Sequence, residues 1–309
     1  HMSGFRVMEP GILSQLQDAG RFGHHSIGLT TGGPVDGDAF YWANRLCRND
    51  PGATALEVAQ GGLRLECLGE TTIAVTGAPM PLKVNGLTKA LWRSHRVRAG
   101  GVIELGHTKT GVRAYLSAAA GFKAEEFFGS TATVIREGIG GSLRVGQVLS
   151  CGLGNIEQWA LPMEAIPRYA ESVNLRLIPG YQFDQFPEAS REGLLGGDFM
   201  VSHRSDRMGC WLEGAPIEGP AAGILSEGIC LGAVQVPPEG QPIVLLNDRQ
   251  TIGGYPKLGA VASVDLWQLS QCRSGAKARF EMIALEAASR LIASLEAMRE
   301  KTQLKRCED

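Results

Sequence analysis

The sequence predicts a mainly β protein arranged as two barrel-like or sandwich-like halves, with a few helices including one at the C-terminus. Three observations lead there. The chain has 309 residues, room for one large domain or two of ordinary size with a substantial core. It carries 41 glycines, about twice the usual share, spread without the three-residue collagen period, which reads as many tight turns. Short apolar stretches with two-residue alternation recur between those turns. Apolar residues at 44% and charged residues at 20% fit a folded chain rather than a disordered one.

The elements follow in order. Asp36 is a good N-cap, and Ala39, Phe40, Ala43, Leu46 and Cys47 share one helical face, predicting about three turns packed on the core. Strands are expected at Leu63–Cys67, Thr72–Thr76, Leu82–Val84 and Leu87–Lys89. The last two flank Asn85-Gly86, the pair that a type I′ hairpin turn favours because both central residues need positive φ. Val102–Leu105, Val112–Leu116 and Leu143–Val145 continue the pattern. Between Cys151 and Pro167 it lapses, and a domain boundary is expected there. Strands resume at Val173–Ile178, Ile243–Leu246 and Ala278–Met282. From Ile283 to Lys305 the chain lacks Gly and Pro, and Leu291, Leu295 and Met298 recur at helical spacing, predicting a terminal helix packed on its own domain.

Several functions are disfavoured. The net charge is −2, so no overall positive field draws in nucleic acid or an anionic membrane. No stretch approaches 18 consecutive apolar residues. His1-Met2 reads as a remnant of tag cleavage, and no signal-peptide pattern follows it. Seven scattered cysteines without a CxxC pair argue against a disulfide framework or a zinc ribbon and for a reducing cytoplasm. No Gly-Lys step, GxSxG, HExxH or GxGxxG occurs, which removes the P-loop, the hydrolase elbow, the zincin and the Rossmann site. Adjacent His24 and His25 would point to opposite faces of a strand, so no metal is expected at them.

Three polar, glycine-flanked segments stand out. The first is Gln17-Asp18-Ala19-Gly20-Arg21-Phe22-Gly23 with Gly32-Gly33-Pro34-Val35-Asp36, readable as two turns and a helix cap. The second is Ser205-Asp206-Arg207-Met208-Gly209, where Asp and Arg also fit a local ion pair. The third runs from Asn247 through Asp248, Arg249, Gln250, Thr251, Gly253 and Gly254 to Tyr255-Pro256. It follows an apolar strand and offers donors and acceptors suited to a planar amide or carboxylate. Its two glycines would let backbone approach a ligand. A ligand site is the expectation, against a hydrogen-bonded structural loop.

At these residues the chain resembles the family that contains the C subunit of bacterial 5-oxoprolinase, allophanate hydrolase subunit 2, the Kip inhibitor antagonist and biotin-dependent carboxyltransferases. The matches include Glu9-Pro10-Gly11, Gln17-Asp18, Gly20-Arg21, Gly33-Pro34 with Asp36, Ala55-Leu56-Glu57, Asp206-Arg207-Met208-Gly209, Ser226-Glu227-Gly228, and Asp248-Arg249-Gln250-Thr251 with Gly253-Gly254-Tyr255-Pro256. The resemblance implies two cyclophilin-like β-barrel domains, here residues 3–155 and 168–285, followed by a helix and tail over 286–309. It implies one component of an ATP-dependent 5-oxoprolinase that opens 5-oxoproline to L-glutamate. The partners implied are a Kip-inhibitor-like protein and a lactam-opening protein, with the ATP site shared with a partner. The other members imply two alternatives. One is the carboxyltransferase component of a urea carboxylase or allophanate system with biotin on another chain, since no Met-Lys-Met site occurs here. The other is a non-enzymatic antagonist of a kinase inhibitor. The expected catalytic set is Arg207, Asp248, Gln250 and Thr251, with substrate bound by Asp206, Tyr255, Gly253, Gly254, Arg21 and Asp36. Arg207 would grip a substrate carboxylate or phosphorylated intermediate through its bidentate fork.

Overall fold

The computed structural model describes residues 2–155, 157–221 and 226–308. The chain divides into two compact units: His1–Arg21, Gly32–Arg168 and Thr302–Asp309 form the first, Phe22–Thr31 and Tyr169–Lys301 the second. The fold is mainly β, as the glycine-punctuated pattern predicts. Among the described residues no helix is long and apolar enough to cross a membrane.

The first unit contains a six-stranded and a five-stranded sheet. Strand Ser3–Pro10 lies between Val148–Cys151 and Leu63–Cys67, antiparallel to both. In Leu63–Cys67 the apolar residues are buried and Arg64 and Glu66 half-buried, so two-residue alternation directs one face to the core. Asn85 and Gly86 take φ 53° and 78° and join Leu82–Val84 to Leu87–Lys89. The core gathers Phe5, Leu65, Ile73, Val75 and Leu116 from both sheets. Helix α1 (Gly37–Leu46) starts where the Asp36 carboxylate accepts the Ala39 amide at 3.1 Å, and it buries Ala39, Phe40, Ala43 and Leu46.

One expected strand is absent. Leu143–Val145 forms no ladder: the Leu143 amide donates to Ser14, Arg144–Gln147 makes a turn, and Val145 is exposed. The strand begins later, at Val148, where pairing with Arg6 becomes available. The irregular stretch 151–167 carries strand Gln158–Ala160 and a 3₁₀ turn at Met163–Ala165, both within the first unit.

The second unit is built on a closed seven-stranded barrel in the order Ser172–Pro179, Lys257–Val261, Ala233–Gln235, Ile243–Leu245, Gly209–Glu213, Phe199–Val201 and Lys277–Met282. A parallel pairing of Ser172–Pro179 with Lys277–Met282 closes it. Closure removes the exposed edges that a sheet of this size would otherwise present. Leu175, Leu177, Phe199, Leu212, Val234 and Phe280 fill the interior. Helices α2 (Glu188–Gly196) and α3 (Ser263–Ser270) flank the barrel strands.

The terminal helix α4 spans Leu285–Lys301, four residues short of its expected end, and belongs to the second unit. The Arg299 guanidinium lies 5.4 Å from the Trp267 ring centroid, anchoring its last turn to α3. The helix and tail then part company. Arg45 donates to the Thr302 carbonyl at 2.7 Å, and Lys305–Cys307 pairs with Gln158–Ala160 inside the first unit. Those backbone bonds capture the tail as a strand, so 286–309 is two structural pieces.

Candidate functional site

Two of the three polar segments come together in the second unit. Gly209 pairs with Leu245 across antiparallel strands, which places the turn before one strand beside the loop after the other. Asp206 shapes the turn, its Oδ1 accepting the amides of Met208 at 2.8 Å and Gly209 at 3.2 Å. This is the Asx-type bonding that makes Asp a turn residue.

Arg207 and Asp248 join the two segments. Nε and Nη2 of Arg207 donate to the two carboxylate oxygens of Asp248 at 3.0 and 2.9 Å. The Asp248 amide also donates to the Arg207 carbonyl at 2.9 Å. Only 5% of Arg207 and 6% of Asp248 is exposed, so the pair is desolvated on both sides. The fork expected to grip a substrate anion is therefore engaged by this chain's own carboxylate.

The loop continues with Arg249, which lies in the expected ligand segment but outside the expected catalytic and substrate-binding set. It is 3% exposed; Nε donates to the Ile229 carbonyl at 3.1 Å, and Nη2 lies 3.4 Å from His25 Nε2. The Thr30 hydroxyl donates to the Asn247 carbonyl at 3.0 Å. Segment Phe22–Thr31 thus fastens to this loop and counts with the second unit. Desolvation pulls the Arg249 pKa below the ordinary guanidinium value, partly opposed by the nearby Cys230 and Asp248.

Gln250 is exposed and Thr251 half-buried, with the Thr251 carbonyl accepting the Ile229 amide at 3.0 Å. Gly253 pairs with Glu227 in a two-residue ribbon. A Cβ there would stand 2.6 Å from Ile229 Cδ1 and 3.0 Å from Gln235 Nε2, so close packing explains this glycine. Gly254 and Tyr255 are exposed. Tyr255 lines a cavity of about 310 Å³ with Ser202, Arg204, Trp211, Glu213 and Gln241. The Arg204 guanidinium sits 5.1 Å from the Trp211 ring centroid, a cation held on an aromatic face. Such a cavity combines flat apolar surface with charged donors and acceptors, suiting a small planar polar molecule.

Arg21 and Asp36 lie in the first unit. Arg21 is 1% exposed and donates to the carbonyls of Phe127 at 2.6 Å, Ser130 at 2.8 Å and Ala132 at 3.1 Å. Its Nη1 has no hydrogen-bond partner among the described residues, and desolvation lowers its pKa, with Asp18 acting the other way. Asp36 caps α1, and its amide donates to the Tyr115 hydroxyl at 2.9 Å. That hydroxyl donates to Glu57 Oε2 at 2.7 Å, an oxygen that also accepts the Val35 amide at 3.1 Å. Burial first, then the Glu57 charge, holds the Tyr115 phenol well above its ordinary value. Glu57 and Tyr115 thus fasten the Gly33–Asp36 loop, a role the sequence signalled only through the Ala55-Leu56-Glu57 match.

Among the described residues no group of three His, Cys, Asp or Glu side chains is placed to hold a metal ion. Around the loop, Arg207 is turned onto Asp248 and Arg249 onto the carbonyls of Ile229 and Leu246.

The chain that carries this barrel, with its Asp-Arg-Met-Gly turn locked to its Asp-Arg-Gln-Thr loop, matches a carboxyltransferase domain. The family described as "Carboxyltransferase domain, subdomain A and B" matches residues 27–282, and the chain belongs to it. Two relatives match this chain over nearly their whole lengths as well as its own. The C subunit of 5-oxoprolinase from Escherichia coli strain K12 is 32% identical over 290 residues, covering 92% of this chain and 92% of that one. Its Haemophilus influenzae counterpart, also a 5-oxoprolinase C subunit, is 33% identical over 291 residues, covering 92% and 93%. The crystal structure of the Kluyveromyces lactis urea carboxylase superposes with a TM-score of 0.87 at 25% identity, over 95% of this chain and 28% of that one.

Proposed function

We propose that this chain is the C subunit of an ATP-dependent 5-oxoprolinase, acting with partner proteins to open 5-oxoproline to L-glutamate. The observation that carries this reading is reciprocal coverage: the two 5-oxoprolinase relatives match over 92–93% of their own lengths as well as 92% of this chain. In the urea carboxylase the same fold occupies 28% of a longer chain.

A lactam carbonyl is unreactive because nitrogen donates into it, so catalysis requires charge stabilisation as the carbonyl oxygen turns negative. In this reading the Arg207–Asp248 pair positions the loop, and Asp206 sets the turn beside it. Gln250 and Thr251 supply hydrogen bonds to the amide, Gly254 allows close approach while Gly253 lets the ribbon pack on Ile229 and Gln235, and Tyr255 borders the cavity. Arg21 and Asp36 order the first unit and contact no substrate. ATP would be bound chiefly by a partner, and no step on this chain is routed through it. A Kip-inhibitor-like protein and a lactam-opening protein are the proposed partners, in the cytoplasm.

The test is ATP-dependent glutamate release by the co-expressed proteins. The isolated chain should release none. Thr251→Val keeps shape and removes the hydroxyl. It should lower turnover at least about tenfold, or about 1.4 kcal/mol of transition-state stabilisation, with Tm unchanged. Wild-type turnover in that variant removes Thr251 from the site.

A second reading is favoured by the family description and the urea carboxylase superposition. Here the chain is a carboxyltransferase component that receives a carboxyl group from biotin carried elsewhere. Carboxybiotin-dependent carboxylation of urea by the complex, without glutamate release from 5-oxoproline, would select it.

A further inference from the structure

A second cavity in the barrel unit, of about 300 Å³, lies beside strand Lys257–Val261. Small residues Gly180, Gly228, Gly259 and Ala233 leave room in its wall, while Ile178 and Pro179 supply apolar surface. Its polar side is an ordered network. The Glu227 carboxylate accepts hydrogen bonds from the Tyr181 hydroxyl, from Gln182 Nε2 at 2.9 Å and from Lys257 Nζ at 2.9 Å. Gln182 Oε1 accepts the Lys257 main-chain amide at 2.8 Å, which fixes the orientation of the Gln182 amide group. Gln182 is buried and the Lys257 side chain only 12% exposed.

The network leaves donors over. Lys257 has three ammonium hydrogens and Gln182 two amide hydrogens, and each spends one on Glu227. Two donors on Lys257 and one on Gln182 therefore have no acceptor among the described residues, against a largely satisfied Glu227. A cavity with surplus donors and an apolar wall recognises an acceptor-rich group on a compact apolar body. Glu227 neutralises the formal charge of Lys257 and repels a dianion more than a monoanion. Tyr181, 73% exposed, stands at the rim.

We propose that this cavity binds a compact monocarboxylate whose oxygens accept hydrogen bonds from Lys257 and Gln182. 5-Oxoproline is one such acid, but the inference rests on the cavity and not on the proposed activity.

Cys230 gives a direct readout, because it lines this cavity and its side chain is exposed. The experiment follows alkylation of Cys230 by iodoacetamide in the whole chain, by mass spectrometry, in the presence of cyclopentanecarboxylate, cyclopentanecarboxamide, 5-oxoproline, 2-pyrrolidinone or inorganic phosphate. Both carboxylates should protect Cys230 saturably at millimolar concentration. The amide, the lactam without a carboxylate, and phosphate should bind at least about tenfold more weakly, as the loss of a charge-assisted hydrogen bond predicts. Lys257→Met should abolish the protection while leaving the reaction rate without ligand intact. Equal protection by the acid and its amide, or none by either acid, overturns the proposal, and the wild-type comparison needs no variant. Protection by cyclopentanecarboxylate without 5-oxoproline turnover by the complex would refute the proposed activity and leave this site standing.

Discussion

Removing the Asp248 charge tests whether the Arg207–Asp248 pair holds the candidate site together. Both side chains are almost fully buried, and Arg207 meets both oxygens of the carboxylate. Asp248→Ala would leave a desolvated guanidinium without its counter-charge, the situation that costs about 3–5 kcal/mol when one member of a buried pair is deleted. For a unit of this size 1 kcal/mol moves Tm by about 2–4 °C, so a fall of about 6 °C or more is expected. Arg207→Lys keeps the charge but not the fork, and should cost about 1–2 kcal/mol through the lost second hydrogen bond. Arg207→Met with Asp248→Leu replaces the pair by apolar groups of similar volume and should recover most of the loss, because no lone charge remains buried. Thermal and urea unfolding of the wild type, Arg207→Met, Asp248→Leu and the double variant close a double-mutant cycle, with Asp248→Ala and Arg207→Lys measured beside it. A wild-type Tm for Asp248→Ala, or additive losses in the double variant, would refute the argument that the pair is a positioning device.

Thiol chemistry should sort the seven cysteines: Cys230 is exposed and Cys307 half-buried, so only these two should react with a disulfide reagent in the native protein at pH 8, the other five after unfolding. Burial raises the Cys47 and Cys272 thiols to about 12 and Cys67 to about 11 from an ordinary 9.0, so their folded forms stay protonated. That contribution is complete below about pH 9 and is lost as pH rises towards 12, so Tm should fall progressively above pH 9 and show no such fall between pH 7 and 8. Phe128 holds φ 49° with 49% of its surface exposed, a conformation Asn adopts more readily; Phe128→Asn should therefore raise stability by about 1 kcal/mol, read as a higher urea midpoint. Asp36→Ala removes the α1 cap and should cost about 1 kcal/mol, with Asp36→Ser restoring most of it.

The parts of the fold legible in the sequence were those governed by local rules. Asn85-Gly86 specified its hairpin because few other residue pairs tolerate two positive φ values, and Asp36 declared α1 because a side-chain oxygen is needed at a helix start. Long-range pairing was not legible. Val148–Cys151 becomes a strand through Ser3–Arg6, more than 140 residues earlier, while the equally apolar Leu143–Val145 finds no partner strand. The tail strand Lys305–Cys307 likewise exists through its pairing with Gln158–Ala160. Residue type pointed to the polar loops, but it left open which groups they spend on each other. Arg207 and Asp248 meet across a register set by Gly209 and Leu245, and Arg249 turns inward onto Ile229. Lys257 and Glu227, thirty residues apart, become neighbours through Gln182, a residue with no motif around it.

On the proposed function, this chain completes an ATP-dependent 5-oxoprolinase. The most direct measurement is glutamate formation from 5-oxoproline by the purified partner proteins with and without this chain added. ATP-dependent glutamate should form only when the chain is present, in proportion to its amount up to a fixed stoichiometry. Undiminished turnover without it, or urea carboxylation from carboxybiotin in place of glutamate formation, would contradict the claim.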